Sequence, residues 1–139
     1  MSEPVLLALL CADRVIVEEG NHKKSIIGSF DNFFSPKFPV VFPPWFIYAA
    51  VANLSEDSDF TLNLVKDDGS DSVVIGFTGR FKVTDPRSKS DIIFQVANAK
   101  FPSAGDYMLT LTIGTERVGS RILHVKDVPP LQITGGQNV

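Results

Sequence analysis

Three side chains in this sequence are suited to nucleophilic or metal chemistry near neutral pH: Cys11, His22 and His124. A reactive thiol needs a histidine or another cation close enough to hold it as thiolate. Cys11 instead follows Val5-Leu6-Leu7-Ala8-Leu9-Leu10, which implies a buried, inert thiol. His22 stands in the charged turn Asn21-His22-Lys23-Lys24 and His124 in the last apolar run, without the short, regular ligand spacing of a zinc site. The chain has no Gly-x-Ser-x-Gly elbow, no glycine-rich phosphate loop and no dinucleotide fingerprint. The expectation is a protein that is not an enzyme, with no catalytic residue, no metal and no cofactor.

Carboxylates gather in Glu56-Asp57-Ser58-Asp59 and in Asp67-Asp68-Gly69-Ser70-Asp71. Calcium requires six to eight converging oxygens. The strand expected over 60–66 separates the two loops by about 20 Å at about 3.3 Å per residue, so they do not form one site. They read as solvated turn acids.

The unusual composition is aromatic. Phenylalanine occurs 11 times against two tyrosines and one tryptophan, and eight of these rings fall between Phe30 and Tyr48, interleaved with Pro36, Pro39, Pro43 and Pro44. A segment this long is either ordered core or functional. In the first case its phenylalanines plug one end of the fold and Trp45 packs centrally. In the second, some rings stay exposed as a partner surface, with Phe33, Phe34, Phe38, Phe42 and Trp45 as the candidates.

The elements that must position these residues are strands. Phe60, Leu62 and Leu64 alternate with Thr61 and Asn63, and Ile92, Phe94 and Val96 follow the same plan. Tyr107, Leu109, Leu111 and Ile113 alternate with Thr110 and Thr112. This period of two marks strands buried on one face. Val5 to Val17 and Trp45 to Val51 are apolar on both faces, which predicts strands central in a sheet or covered on both sides. Gly20-Asn21, Asp68-Gly69 and Gly114-Thr115-Glu116 read as hairpin turns, and Gly76 and Gly79 as a bulge or bend. No stretch has helical periodicity with caps. The expected fold is all-β, an antiparallel sandwich of about seven to nine strands over 1–126. A loosely ordered tail over 127–139 follows, with Leu131 to Thr134 adding a short edge strand. If successive strands alternate in direction, one end of the molecule carries the polar loops 18–24, 54–59, 85–91 and 114–117. The other carries 31–44, 67–71, 100–105 and the tail.

The run Phe101-Pro102-Ser103-Ala104-Gly105-Asp106-Tyr107 resembles the loop and penultimate strand of immunoglobulin-like sandwiches, where a tyrosine so placed closes a corner through its hydroxyl. With Ser25-Ile26-Ile27-Gly28-Ser29-Phe30-Asp31 and Phe38-Pro39, the chain from about Val5 to Val125 also resembles an uncharacterised family of small bacterial proteins, a domain of unknown function. That resemblance implies a β-sandwich of bacterial origin and brings no activity with it.

Charge and length narrow the partners. The formal net charge of -3 on 139 residues argues against nucleic acid, which an electrostatic binder meets with a basic excess. The apolar run before Cys11 is too short to span a bilayer. It also lacks the cationic start and the small residue before the cysteine that a lipoprotein signal needs. A cytoplasmic protein without membrane or nucleic-acid partners is expected, acting as a non-catalytic protein-binding or assembly module and as a homodimer. The alternative is carbohydrate recognition by aromatic residues of the 30–48 segment, with Trp45, Tyr48 or phenylalanines as a flat stacking platform.

Overall fold

A computed structural model describes residues 3–70, 72–85 and 87–129. Eleven strands follow one another, with no helix among the described residues: β1 (Val5–Val17), β2 (Lys24–Phe30), β3 (Asn32–Ser35), β4 (Val40–Val41), β5 (Trp45–Ala52), β6 (Ser58–Lys66), β7 (Val73–Phe81), β8 (Ser90–Val96), β9 (Lys100–Phe101), β10 (Gly105–Ile113) and β11 (Glu116–Asp127). The chain is therefore all-β. The count exceeds seven to nine because β4 and β9 are a two-residue pair inside segments that read as loops.

One sheet has the order β2-β1-β5-β8, another the order β3-β11-β10-β6-β7. The inward sides of both supply one core. Leu9, Cys11, Trp45, Ile47, Ala49 and Val51 from the first meet Phe60, Leu62, Leu64, Tyr107, Leu109, Leu111, Leu123 and Val125 from the second. The period-two strands β6 and β10 bury their apolar members and turn Thr61, Asn63, Thr110 and Thr112 outward. On one side Arg121 donates to the Leu9 carbonyl at 3.1 Å, joining β11 to β1. On the other, the rings of Phe77 and Phe94 lie 4.5 Å apart between β7 and β8. Gly79 has a packing reason to be glycine, since a Cβ there would sit 2.6 Å from the Phe60 ring.

The purely antiparallel expectation needs one correction. After Phe30 the chain crosses at Asp31 from the edge of the four-stranded sheet to the other sheet, and β3 pairs parallel with β11. The His124 amide holds the crossing by donating to the Asp31 carbonyl at 2.8 Å. Entering the second sheet at its edge, next to the last long strand, leaves β3 running alongside β11 and makes that sheet mixed. The three expected turns all form, with Gly20, Gly69 and Gly114 at positive φ. Asp127 still pairs with Ser35, and the Val128 amide donates to the Ser35 carbonyl. The edge strand expected over Leu131 to Thr134 lies outside the described residues.

Register shows how β1 and β2 are bent. Residues 5–12 of β1 pair with β5, while residues 11–17 pair with β2, with Asp13 and Gly28 passed over. Asp91 lies level with Ala50 and hence Ala8; Lys24 pairs with Val17, nine residues further along β1. A straight strand would separate the two by about 30 Å. Lys24 Nζ is 3.2 Å from Asp91 Oδ2. The outer half of the β1–β2 hairpin is thus folded back over the outer face of its own sheet. Gly28 makes the bend possible: its φ is 68°, and a Cβ would run into the Asp13 carboxylate.

Candidate functional site

The aromatic segment is mainly core. Phe33 and Phe42 stack at 4.0 Å and 7°, and Phe33 lies 4.7 Å from Phe30, 5.3 Å from Trp45 and 5.8 Å from Phe101. Phe101 in turn meets Tyr107 edge-on at 5.0 Å. Trp45 is 3% exposed, and Phe38 is half-buried against the same cluster. Phe34 alone of the five candidates points outward, 57% exposed, with the Lys126 ammonium 5.8 Å from its ring. The structure does not bring Phe33, Phe34, Phe38, Phe42 and Trp45 together as one exposed patch. Strand alternation in β3 explains the split, sending Phe33 in and Phe34 out. Tyr48 is buried as well as Trp45.

The reactive candidates are dispersed. Burial pushes the Cys11 thiol up to about 12; Arg121 opposes this and Asp31 adds to it, so the thiol stays protonated. His124 Nδ1 pairs with Asp106 Oδ1 at 2.7 Å because 106 and 124 face each other in the β10–β11 register. His22 is in the hairpin tip at φ 59°. The acidic loops are occupied locally: Asp57 accepts from the Val83 amide, Asp59 pairs with Arg80, and Asp68 with Lys66. No group of three or more His, Cys, Asp or Glu side chains is placed to hold a metal among the described residues.

What the structure builds is a second apolar cluster, on the outer face of the four-stranded sheet. Ala12, Tyr48 and Ala50 lie buried there, with Ala8, Leu10, Phe46 and Ile93 around them. The folded-back arm covers this face with Val15 and Ile26. Polar contacts latch its tip. The Tyr48 hydroxyl donates to Asp91 Oδ2 at 2.8 Å and accepts from Lys89 Nζ at 2.9 Å, while Lys24 reaches the same carboxylate from the arm. Within the tip, Ser25 Oγ donates to Glu18 Oε2 at 2.7 Å. A cleft of about 430 Å³ remains between tip and sheet, lined by Asn21, His22, Lys23, Lys24, Ile26, Tyr48 and Lys89.

The latch perturbs its own titrations. Burial pushes Asp91 up, but the Tyr48 hydroxyl, Lys24 and Lys89 together outweigh it and hold the carboxyl below its ordinary value. The bond to Tyr48 raises Lys89, against the opposing effect of burial. Burial raises Tyr48, helped by Asp91. Sequence reasoning did not assemble this group, because its members come from β2, β5, β8 and the loop before β8. The one signal in the chain was that Val5 to Val17 and Trp45 to Val51 are apolar on both faces.

An all-β chain with two sheets on one core and a latched arm over a second apolar cluster defines a structural class. The chain belongs to a family of unknown function, DUF6941, whose sequence pattern matches residues 7–126. No functionally curated protein matches the sequence. No helix among the described residues is long and apolar enough to cross a membrane.

Proposed function

We propose that this chain is an immunoglobulin-like β-sandwich that serves as a non-catalytic protein-binding or assembly module, using the outer face of the four-stranded sheet. The observation that carries this reading is the apolar cluster on that face, which among the described residues is closed by the side chains of a hairpin arm. The free face of an antiparallel sheet is normally polar, and an apolar one generally marks a contact surface. The sandwich description draws support from the shared core and from Tyr107, whose hydroxyl donates to the Ser103 carbonyl at 2.6 Å as in a tyrosine corner. A protonated, buried Cys11 supports the non-catalytic reading and suits a reducing compartment such as the cytoplasm.

The test is to lift the arm. Val15→Asp puts a charge between arm and sheet, where an unpaired carboxylate is not tolerated. The variant should keep its strand circular dichroism, bind an apolar fluorescent dye more strongly than the wild type, and sediment as a larger species. A folded variant that stays monomeric and binds no extra dye would show that the face is not a binding surface.

A further inference from the structure

We infer that the β1–β2 arm exchanges between two copies of this chain, each arm lying on the outer face of the other copy's four-stranded sheet. This rests on the proposed use of that face and names its occupant. Among the described residues the arm's backbone pairs only with itself: β2 is an edge strand bonded to β1, and the turn closes through Glu18 and Lys23. Side chains make its contacts with the face, Val15 and Ile26 on the apolar cluster and Lys24 on Asp91. A second copy offers the same partners in the same geometry. Closed and exchanged arms therefore have equal contact energies at the face, and the hinge decides between them, the ordinary condition for a swapped dimer.

The hinge is short and well marked. Both strands continue through it, and the register has the same offset on either side of Asp13 and Gly28. Straightening the arm therefore means changing the backbone at these positions while the rest of the ladder persists. In the closed arm Gly28 holds positive φ against the Asp13 carboxylate. Glycine takes either sign of φ at little cost, so the same residue also permits an extended ribbon. On the side turned away from the sheet, Ile16 and Ile27 are 39% and 46% exposed beside Arg14 and Ser25, and Val17, on the same side as Val15 and Lys24, remains 49% exposed. A second copy matches the arm's chemistry feature for feature, with Tyr48 and Ile93 for Val15 and Ile26, and Asp91 for Lys24.

Charge reversal distinguishes exchange from every other contact. Lys24→Glu and Asp91→Lys each place like charges at the latch, whether the arm closes on its own sheet or on an identical copy. Mixed, they bring opposite charges together between arm and sheet on both faces only if arms exchange: the arm of the Lys24→Glu chain then lies on the sheet of the Asp91→Lys chain, where Lys89 adds a further positive charge, and the unaltered Lys24 and Asp91 meet on the other face. The two variants, one isotopically heavy, are denatured together, refolded and weighed by native mass spectrometry. The expected result is a heavy–light dimer in at least about tenfold excess over either homodimer, the factor that about 1.4 kcal/mol of latch energy produces. A chain carrying both substitutions should match the wild type in its monomer–dimer distribution.

If Asp91→Lys alone refolds poorly, soluble protein should be recovered when Lys24→Glu is present, and absence of that rescue counts against exchange. A mixture that remains monomeric, or dimers that combine at random, overturns the inference. If exchange fails while Val15→Asp still bares an apolar, self-associating face, the binding reading stands and the occupant is a strand from another protein. If Val15→Asp bares nothing, both fall.

Discussion

Phe33 and Phe34 are neighbours of the same type with opposite fates. Phe33 contacts Phe30, Phe42, Trp45 and Phe101, whereas Phe34 is more than half exposed beside Lys126. Phe33→Ser should therefore cost about 3 kcal/mol or more, as truncation of a large core side chain does. Phe34→Ser should change stability by less than about 0.5 kcal/mol. Urea denaturation of the pair checks this, and equal losses would refute the split. Tyr107 adds a polar case: fully buried, it keeps its hydroxyl only because the Ser103 carbonyl accepts from it. Tyr107→Phe should cost about 1 kcal/mol through the lost bond and the carbonyl left behind, leaving Phe101 packed as before. An unchanged denaturation midpoint would show that water replaces the hydroxyl. The aromatic composition was legible in the sequence. Which rings turn outward was not, because that depends on the single-residue crossing at Asp31, which sets the phase of β3.

At the scale of elements, the β1–β2 arm is the part that responds to pH. The carboxyl of Asp91 titrates below its ordinary value in the folded chain, so its contribution is complete above about pH 4, the unfolded value, and is lost as pH falls through the lower folded one. Lys89 and Tyr48 are raised, so theirs is complete below about pH 10 and disappears as pH rises through the folded values. The arm should be held most firmly between these limits. Denaturation midpoints of wild type and Asp91→Asn, measured from pH 2 to 7, should differ most at neutral pH and converge in acid. The difference between the two proteins also removes the acid dependence of other carboxylates such as Asp68, held at about 2 by Ser70 and Lys66. A constant gap across that range would exclude Asp91 as the titrating latch. The turn at Gly20-Asn21 was readable from residue type. The fold-back was not, because a glycine inside Ser25 to Phe30 marks an irregularity without stating its direction.

At the scale of the whole molecule, the loops divide between two ends as strand alternation anticipated, for a partly different reason. At one end the Val83 amide meets Asp57, the Gly114 amide meets the Asp59 carbonyl, and Lys24 meets Asp91. At the other, the Asp67 amide meets the Asp106 carbonyl, β4 pairs with β9, and Val128 bonds to Ser35. The hairpin tip reaches the polar end because the arm turns back. Simple alternation placed it there on the premise that β2 and β5 run in opposite directions, but both lie antiparallel to β1 and so run the same way. By itself the sequence determined the all-β class, the three turns, the inward sides of β6, β8 and β10, and the doubly apolar character of β1 and β5. Each of these depends on residues within one strand or one turn, where side-chain period and glycine conformation act locally. Tertiary structure decided the parallel pairing of β3, the burial of Trp45 and Tyr48, and the latch of Lys24, Tyr48, Lys89 and Asp91. These depend on which strands become neighbours and where a ribbon bends, and that is settled by burying both faces of β1 and β5 at once, a condition no single segment carries.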